Sequence, residues 1–287
     1  MMKAAFGMEY PKVTEADIAE YHERGYWVSP KIFNDEQIEK LCSEVCRLLS
    51  GEKDTDSWGW CGPVKVDPEA KHMQQVVNAW WVNDAVQEAV TSPVIGYIGS
   101  RLMRVDGIRL IHDQTLIKPG LGPEGEDSLE GNFGWHQDYS YWDWVDTENL
   151  CTCWVALQDT DISMGAMRTL VGSHRWGYNP KSDTAGIKDL KELRGRFEQE
   201  GHEWIDEPCI MKAGQASFHH SLTYHGSGPN TTNEPRLSVV SHLMPDGSAY
   251  DSTGKWNRML SLFGPGLKHG HKFEETMFPK LWPVDVE

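Results

Sequence analysis

Residues 103–118, MRVDGIRLIHDQTLIK, decide the fold. Apolar and β-branched residues alternate there with polar ones at period two, and Gly107 and Pro119-Gly120 punctuate the run, as in a strand with two different faces. The same texture returns in LCTCWVALQ (150–158), EPCIMKA (207–213), QASFHH (215–220) and RLSVVSHLM (236–244), separated by Gly, Pro, Asn and Asp. Many short strands joined by turns predict a sandwich or jelly roll over about 103–245. A chain of 287 residues with 39% hydrophobic content can bury one large core, so a single elaborated domain over 1–287 is expected.

Upstream the period changes. Thr14 caps EADIAEYHERG and Asn34 caps DEQIEKLCSEVCRLLS, whose apolar residues recur at helical spacing, and a further helix is expected over 82–101. Together these predict a helical layer over about 14–101. Residues 51–75 read as a loop beside a cavity, and the charged, helix-like stretch at 186–204 reads as a lid-like insertion; both are expected to border an entrance.

A formal net charge of −16 argues against a nucleic-acid partner, which requires clustered Lys and Arg, and also weighs against the phosphates of a CoA thioester. Small-molecule chemistry is the better expectation. No segment is long enough to span a bilayer, the N-terminal residues turn charged before an apolar run develops, and the six cysteines show no CxxC spacing; a cytoplasmic protein with reduced thiols fits these features.

The chemistry centres on His136-Gln137-Asp138. Side chains two apart on an extended strand face the same side and can grip one ion together. A third ligand is expected from His225 in TYHGSGPN (223–230), which follows a strand-like run and precedes a Gly-Pro-Asn turn. His219 and His220 are nearer to that run's centre and read as strand packing. Two imidazoles and one carboxylate on one face of iron(II) leave three open positions. Arg236 suits forked recognition of a carboxylate, and Ser238 projects from the same strand face. Aromatics around the pair, Trp135, Tyr139, Tyr141, Trp142 and Trp144, are expected in part to line a substrate cavity.

Taken together, KPG (118–120), WHQDYSYW (135–142), MGAMRTLVGSH (164–174) and YHGSGPN followed by Arg236 resemble the phytanoyl-CoA dioxygenase family in order and spacing. The resemblance implies a double-stranded β-helix, a cupin-like jelly roll, mainly β with helices packed on one side. It implies iron(II) as cofactor, held by His136, Asp138 and His225, and 2-oxoglutarate and dioxygen as cosubstrates. Arg236 would hold the distal carboxylate of 2-oxoglutarate, and Gln114 and Trp154 match further positions that touch it. The sequence departs from the family at Met164-Gly165 and Val171-Gly172, where Asn-Gly and Pro-Gly are usual. Related halogenases replace the carboxylate ligand with a small residue, so Asp138 favours oxygen transfer.

The implied reaction oxidises, by default hydroxylates, a small natural-product or amino-acid-like molecule and releases succinate and carbon dioxide. Two other classes remain open on the residues alone. A zinc hydrolase also uses two His and a carboxylate, but leaves Arg236 unexplained. A non-catalytic jelly-roll binding protein would need the cavity without the metal.

Overall fold

The computed structural model describes residues 10–57, 61–181, 184–192, 194–274 and 276–284. Its helical layer begins with α1 (Glu15–Arg24), where Thr14 and Asp17 form a reciprocal capping box: the Thr14 hydroxyl accepts from the Asp17 N–H, and the Asp17 carboxylate accepts the Thr14 N–H at 2.7 Å. Gly25, at φ 81°, ends the helix in the left-handed conformation that glycine adopts without a Cβ penalty. In α2 (Asp35–Leu49), capped by Asn34 with Gln37, Ile38, Leu41, Val45 and Leu48 form the buried stripe.

The single helix expected over 82–101 is instead two, α3 (Asp84–Val90) and α4 (Pro93–Met103). Pro93 lacks an N–H and its ring would clash with the preceding turn, while Ser92 supplies a side-chain cap to Val94, so the chain stops and restarts there. A short fifth helix, α5 (Arg194–Gln199), comes late in the chain.

The strands are β1 (Tyr26–Val28), β2 (Gln74–Val77), β3 (Ile108–Lys118), β4 (Phe133–His136), β5 (Cys151–Ala156), β6 (Met167–Leu170), β7 (Asp206–Pro208), β8 (Ala216–His220), β9 (His225–Ser227), β10 (Arg236–Pro245) and β11 (Lys280–Trp282). All pair antiparallel in two sheets, one ordered β1-β8-β5-β10-β3-β11 with β2 also on β3, the other β4-β9-β6-β7. Strands β3 and β10 run the full width, from Arg236↔Lys118 to Pro245↔Ile108, with a register shift after His242.

Alternation along this central pair divides the interior. Leu237, Val239 and Leu243 join the large core shared with the helices, and Ser241 donates to the Val90 carbonyl at 3.1 Å. Arg236, Val240 and His242 face the opposite way, into the space between the sheets, with His112, Gln114 and Leu116 of β3 and Thr152 and Trp154 of β5.

Asp113 lies on the other face of β3 and is fully buried. One of its oxygens accepts from the Trp80 N–H at 3.3 Å, the other has no partner among the described residues, and burial pushes the carboxyl up to about 8. An unfolded aspartate releases its proton near pH 4. The folded state therefore binds the extra proton between about pH 4 and 8, and stability falls as pH rises through that window, by up to about 1.4 kcal/mol per unit. Asp113→Asn is expected to flatten the dependence of melting temperature on pH between about 5 and 8. A slope equal to that of the wild type would show that Asp113 does not control it.

Residues 184–190 run along the free edge of β4. The Gly134 N–H donates to the Ala185 carbonyl at 2.9 Å, Asn132 and Lys188 exchange bonds through their side chains at 2.8 Å each, and the Trp135 indole donates to the Leu190 carbonyl at 3.0 Å. A Cβ on Gly134 would lie 2.3 Å from the carbonyl oxygens of Thr184 and Ile187, so glycine permits this approach. The segment covers an edge strand that would otherwise present unpaired backbone groups.

Candidate metal centre and its cavity

Between the sheets lies a cavity of about 390 Å³. His136, Asp138 and His225, all buried, bring one ligand atom each within 4.8 Å of one another on its wall. The geometry follows from local structure. Gln137 is extended (φ −103°, ψ 129°), which keeps His136 at the end of β4 and Asp138 just beyond it on one side of the chain. His136 pairs directly with His225 across β4 and β9, and their rings lie 4.1 Å apart.

Each imidazole is fixed the same way. The ring nitrogen Nδ1 meets the backbone carbonyl two residues earlier: His136 that of Gly134 at 2.9 Å, His225 that of Thr223 at 3.0 Å. A carbonyl oxygen only accepts, so Nδ1 carries the hydrogen and Nε2 presents a lone pair. Both Nε2 atoms lie 3.5 Å from the same oxygen, Asp138 Oδ1. Burial and the adjacent His136 ring hold His225 well below its ordinary pKa, hence neutral. Burial acts to raise the Asp138 pKa, and the hydrogen bond it receives from His219 acts in the opposite sense. Three electron-rich atoms converging without a hydrogen between them match the demands of a divalent cation. Two nitrogens and one carboxylate oxygen form the facial set of non-haem iron(II).

At the other end of the cavity stands Arg236. It is buried, its guanidinium lies 5.2 Å from the centre of the Trp154 ring, and burial lowers its pKa to about 10. Nη1 donates to the Gly165 carbonyl, while Nε and the hydroxyl of Ser238 have no partner among the described residues. Lys118, its cross-strand neighbour, is also buried, its pKa held well down by burial and by Arg236; its Nζ donates to the Gly131 and Gly228 carbonyls at 2.7 and 2.6 Å. A buried guanidinium with no carboxylate in ion-pair contact among the described residues favours an incoming anion. Gln114 lines the same wall and donates to Gln75 at 3.2 Å.

Several expectations need correction. His219 does not merely pack: its Nε2 lies 3.1 Å from Asp138 Oδ2, and it lines the cavity. Of the five flanking aromatics, Tyr141 and Trp142 line the cavity. Trp135 packs with Leu170, Phe197 and Tyr224, while Tyr139 and Trp144 belong to the large core. Met73 and Gln75 border the cavity as expected of 51–75, but no described residue of 186–204 does. The outer wall comes from Trp256, Asn257, Arg258 and Met259, a stretch whose lack of periodicity gave no signal. Trp256 is 71% exposed there.

Residues 21–238 match the family model described as phytanoyl-CoA dioxygenase. Over 91% of the chain and 87% of the relative, the sequence is 24% identical to a probable alpha-ketoglutarate-dependent hypophosphite dioxygenase from Stutzerimonas stutzeri. It is 21% identical to an ectoine dioxygenase from Streptomyces avermitilis over 79% of the chain and 77% of the relative. Among solved structures, the epimerase SnoN in complex with Fe3+, alpha ketoglutarate and nogalamycin RO superposes with a TM-score of 0.70 at 25% identity, covering 93% of this chain and 98% of that one. The carbocyclase SnoK from nogalamycin biosynthesis gives 0.71 at 20% identity, covering 93% and 96%.

Proposed function

We propose, for a chain that belongs to the phytanoyl-CoA dioxygenase family and is thus an iron(II)- and 2-oxoglutarate-dependent dioxygenase, that it hydroxylates a small organic molecule of natural-product or amino-acid-like character. The observation that carries this reading is the convergence of the His136 and His225 Nε2 lone pairs on Asp138 Oδ1, each imidazole locked from behind by a backbone carbonyl. When bound, iron(II) and 2-oxoglutarate supply the activation of dioxygen, with succinate and carbon dioxide released.

In this reading His136, Asp138 and His225 hold the iron. Arg236 takes the distal carboxylate of 2-oxoglutarate with a forked, charge-assisted contact, assisted by Ser238, while Trp154 and Gln114 form the adjoining wall. Tyr141, Trp142 and Met259 shape a largely apolar space for the substrate and keep water from the reacting centre. The aromatic lining supports an organic substrate, as do the relatives named for ectoine and for nogalamycin chemistry, whereas the Stutzerimonas stutzeri relative is named for an inorganic one. Six unpaired cysteines, three of them buried, support a reducing compartment such as the cytoplasm.

The test is a titration with iron(II) and 2-oxoglutarate under argon, followed by admission of oxygen. A visible charge-transfer band, then succinate release, is the expected result. A colourless solution, tight zinc binding and hydrolysis without oxygen uptake would establish the zinc enzyme instead.

A further inference from the structure

The two oxygens of Asp138 are treated differently by their surroundings. Oδ1 faces the two imidazoles, whereas Oδ2 is turned away and receives the Thr152 hydroxyl at 2.7 Å and the His219 Nε2 at 3.1 Å. An ionised carboxylate only accepts, so both contacts are donations to it. Having spent its hydrogen, the Thr152 oxygen accepts from His242, whose Nδ1 lies 3.0 Å away. These residues sit in one cross-strand row: Thr152 of β5 pairs with His219 of β8 on one side and with His242 of β10 on the other. All three are buried, and Trp142 and His112 pack against His242 with ring centres 4.3 and 4.5 Å away.

We propose that Thr152 and His219, with His242 behind Thr152, are positioning residues that hold Asp138 as a one-oxygen ligand and so keep three coordination positions open for 2-oxoglutarate and dioxygen. The inference rests on the reading that His136, Asp138 and His225 bind the metal. Two imidazoles and one oxygen occupy three positions of an octahedron. A carboxylate released from its two donors is free to turn Oδ2 onto the metal, closing one of the positions that a chelating cosubstrate and oxygen require. The row opposes that rotation because each donor is itself fixed on a central strand.

The experiment uses the full chain with cobalt(II) as the probe metal. Thr152→Val keeps the shape of the side chain and removes the donor, and Thr152→Ser restores it. His219→Phe and His219→Gln form the parallel pair, which carries the test should a Thr152 variant fail to fold. Loss of either donor is expected to weaken cobalt binding about 10- to 100-fold, with Thr152→Ser and His219→Gln recovering most of the loss. Infrared difference spectra with 13C-labelled aspartate give the second readout. The separation of the two carboxylate stretches is wide for one-oxygen ligation and narrows when both oxygens bind, so it should narrow in the donor-free variants only. Wild-type affinity and wild-type separation in Thr152→Val and His219→Phe would overturn the inference. Cobalt bound equally well by wild type and Asp138→Asn would instead overturn the ligand assignment beneath it.

Discussion

Asp138→Ala is expected to abolish turnover and to strip iron from the protein. Losing a ligand should cost more metal affinity than the roughly 10- to 100-fold typical of losing a hydrogen-bond partner behind one. The loss is compounded here because Thr152 and His219 would both be left with a buried donor and no acceptor. Metal content after dialysis, together with succinate production, measures it. Full activity with unchanged iron occupancy would remove Asp138 from the ligand set.

The second large effect concerns Arg236. Hydrogen bonds to charged groups contribute roughly 1.5–3 kcal/mol, so Arg236→Ala should raise the 2-oxoglutarate requirement at least about tenfold while iron stays bound. Arg236→Lys should recover only part, since lysine keeps the charge but lacks the planar fork. Titrating the metal-to-ligand band reads both. Two other basic residues are already engaged: Lys118 donates to two backbone carbonyls, and Arg168 is paired with Asp206. If Arg236→Ala bound 2-oxoglutarate as tightly as wild type, the search would nevertheless have to return to Lys118.

What the sequence showed and what it hid divide along a physical line. His136 with Asp138, and Arg236 with Ser238, were legible because a strand repeats every two residues, so spacing alone gives the shared face. The strands β3, β5, β8 and β10 carried the same signal in their alternation. His219 was misread because its role depends on β8 lying beside β5 with His219 opposite Thr152, and cross-strand register is not encoded in either segment alone. The break at Pro93 was available from proline chemistry, but continuous apolar spacing on both sides masked it. The 186–204 stretch looked like a lid because it is charged and interrupts the strand pattern. Those properties serve equally for bracing an edge strand, which is what residues 184–190 do at β4.

Strand β10 sets a limit on how this protein can change. Arg236, Val240 and His242 face the cavity, while Leu237, Val239 and Ser241 between them are directed toward the helices. Adding or deleting one residue within that span would turn everything beyond the lesion to the opposite face, placing a charged guanidinium in the apolar core or a valine where an anion is to be held. Point substitutions at Val240 or Leu116 can therefore reshape the chamber gradually, but length changes there cannot. The register shift after His242 is where the pairing already tolerates an irregularity. Diversification by insertion should accordingly collect beyond His242 and in the connections between strands, leaving the span from Arg236 to His242 constant in length.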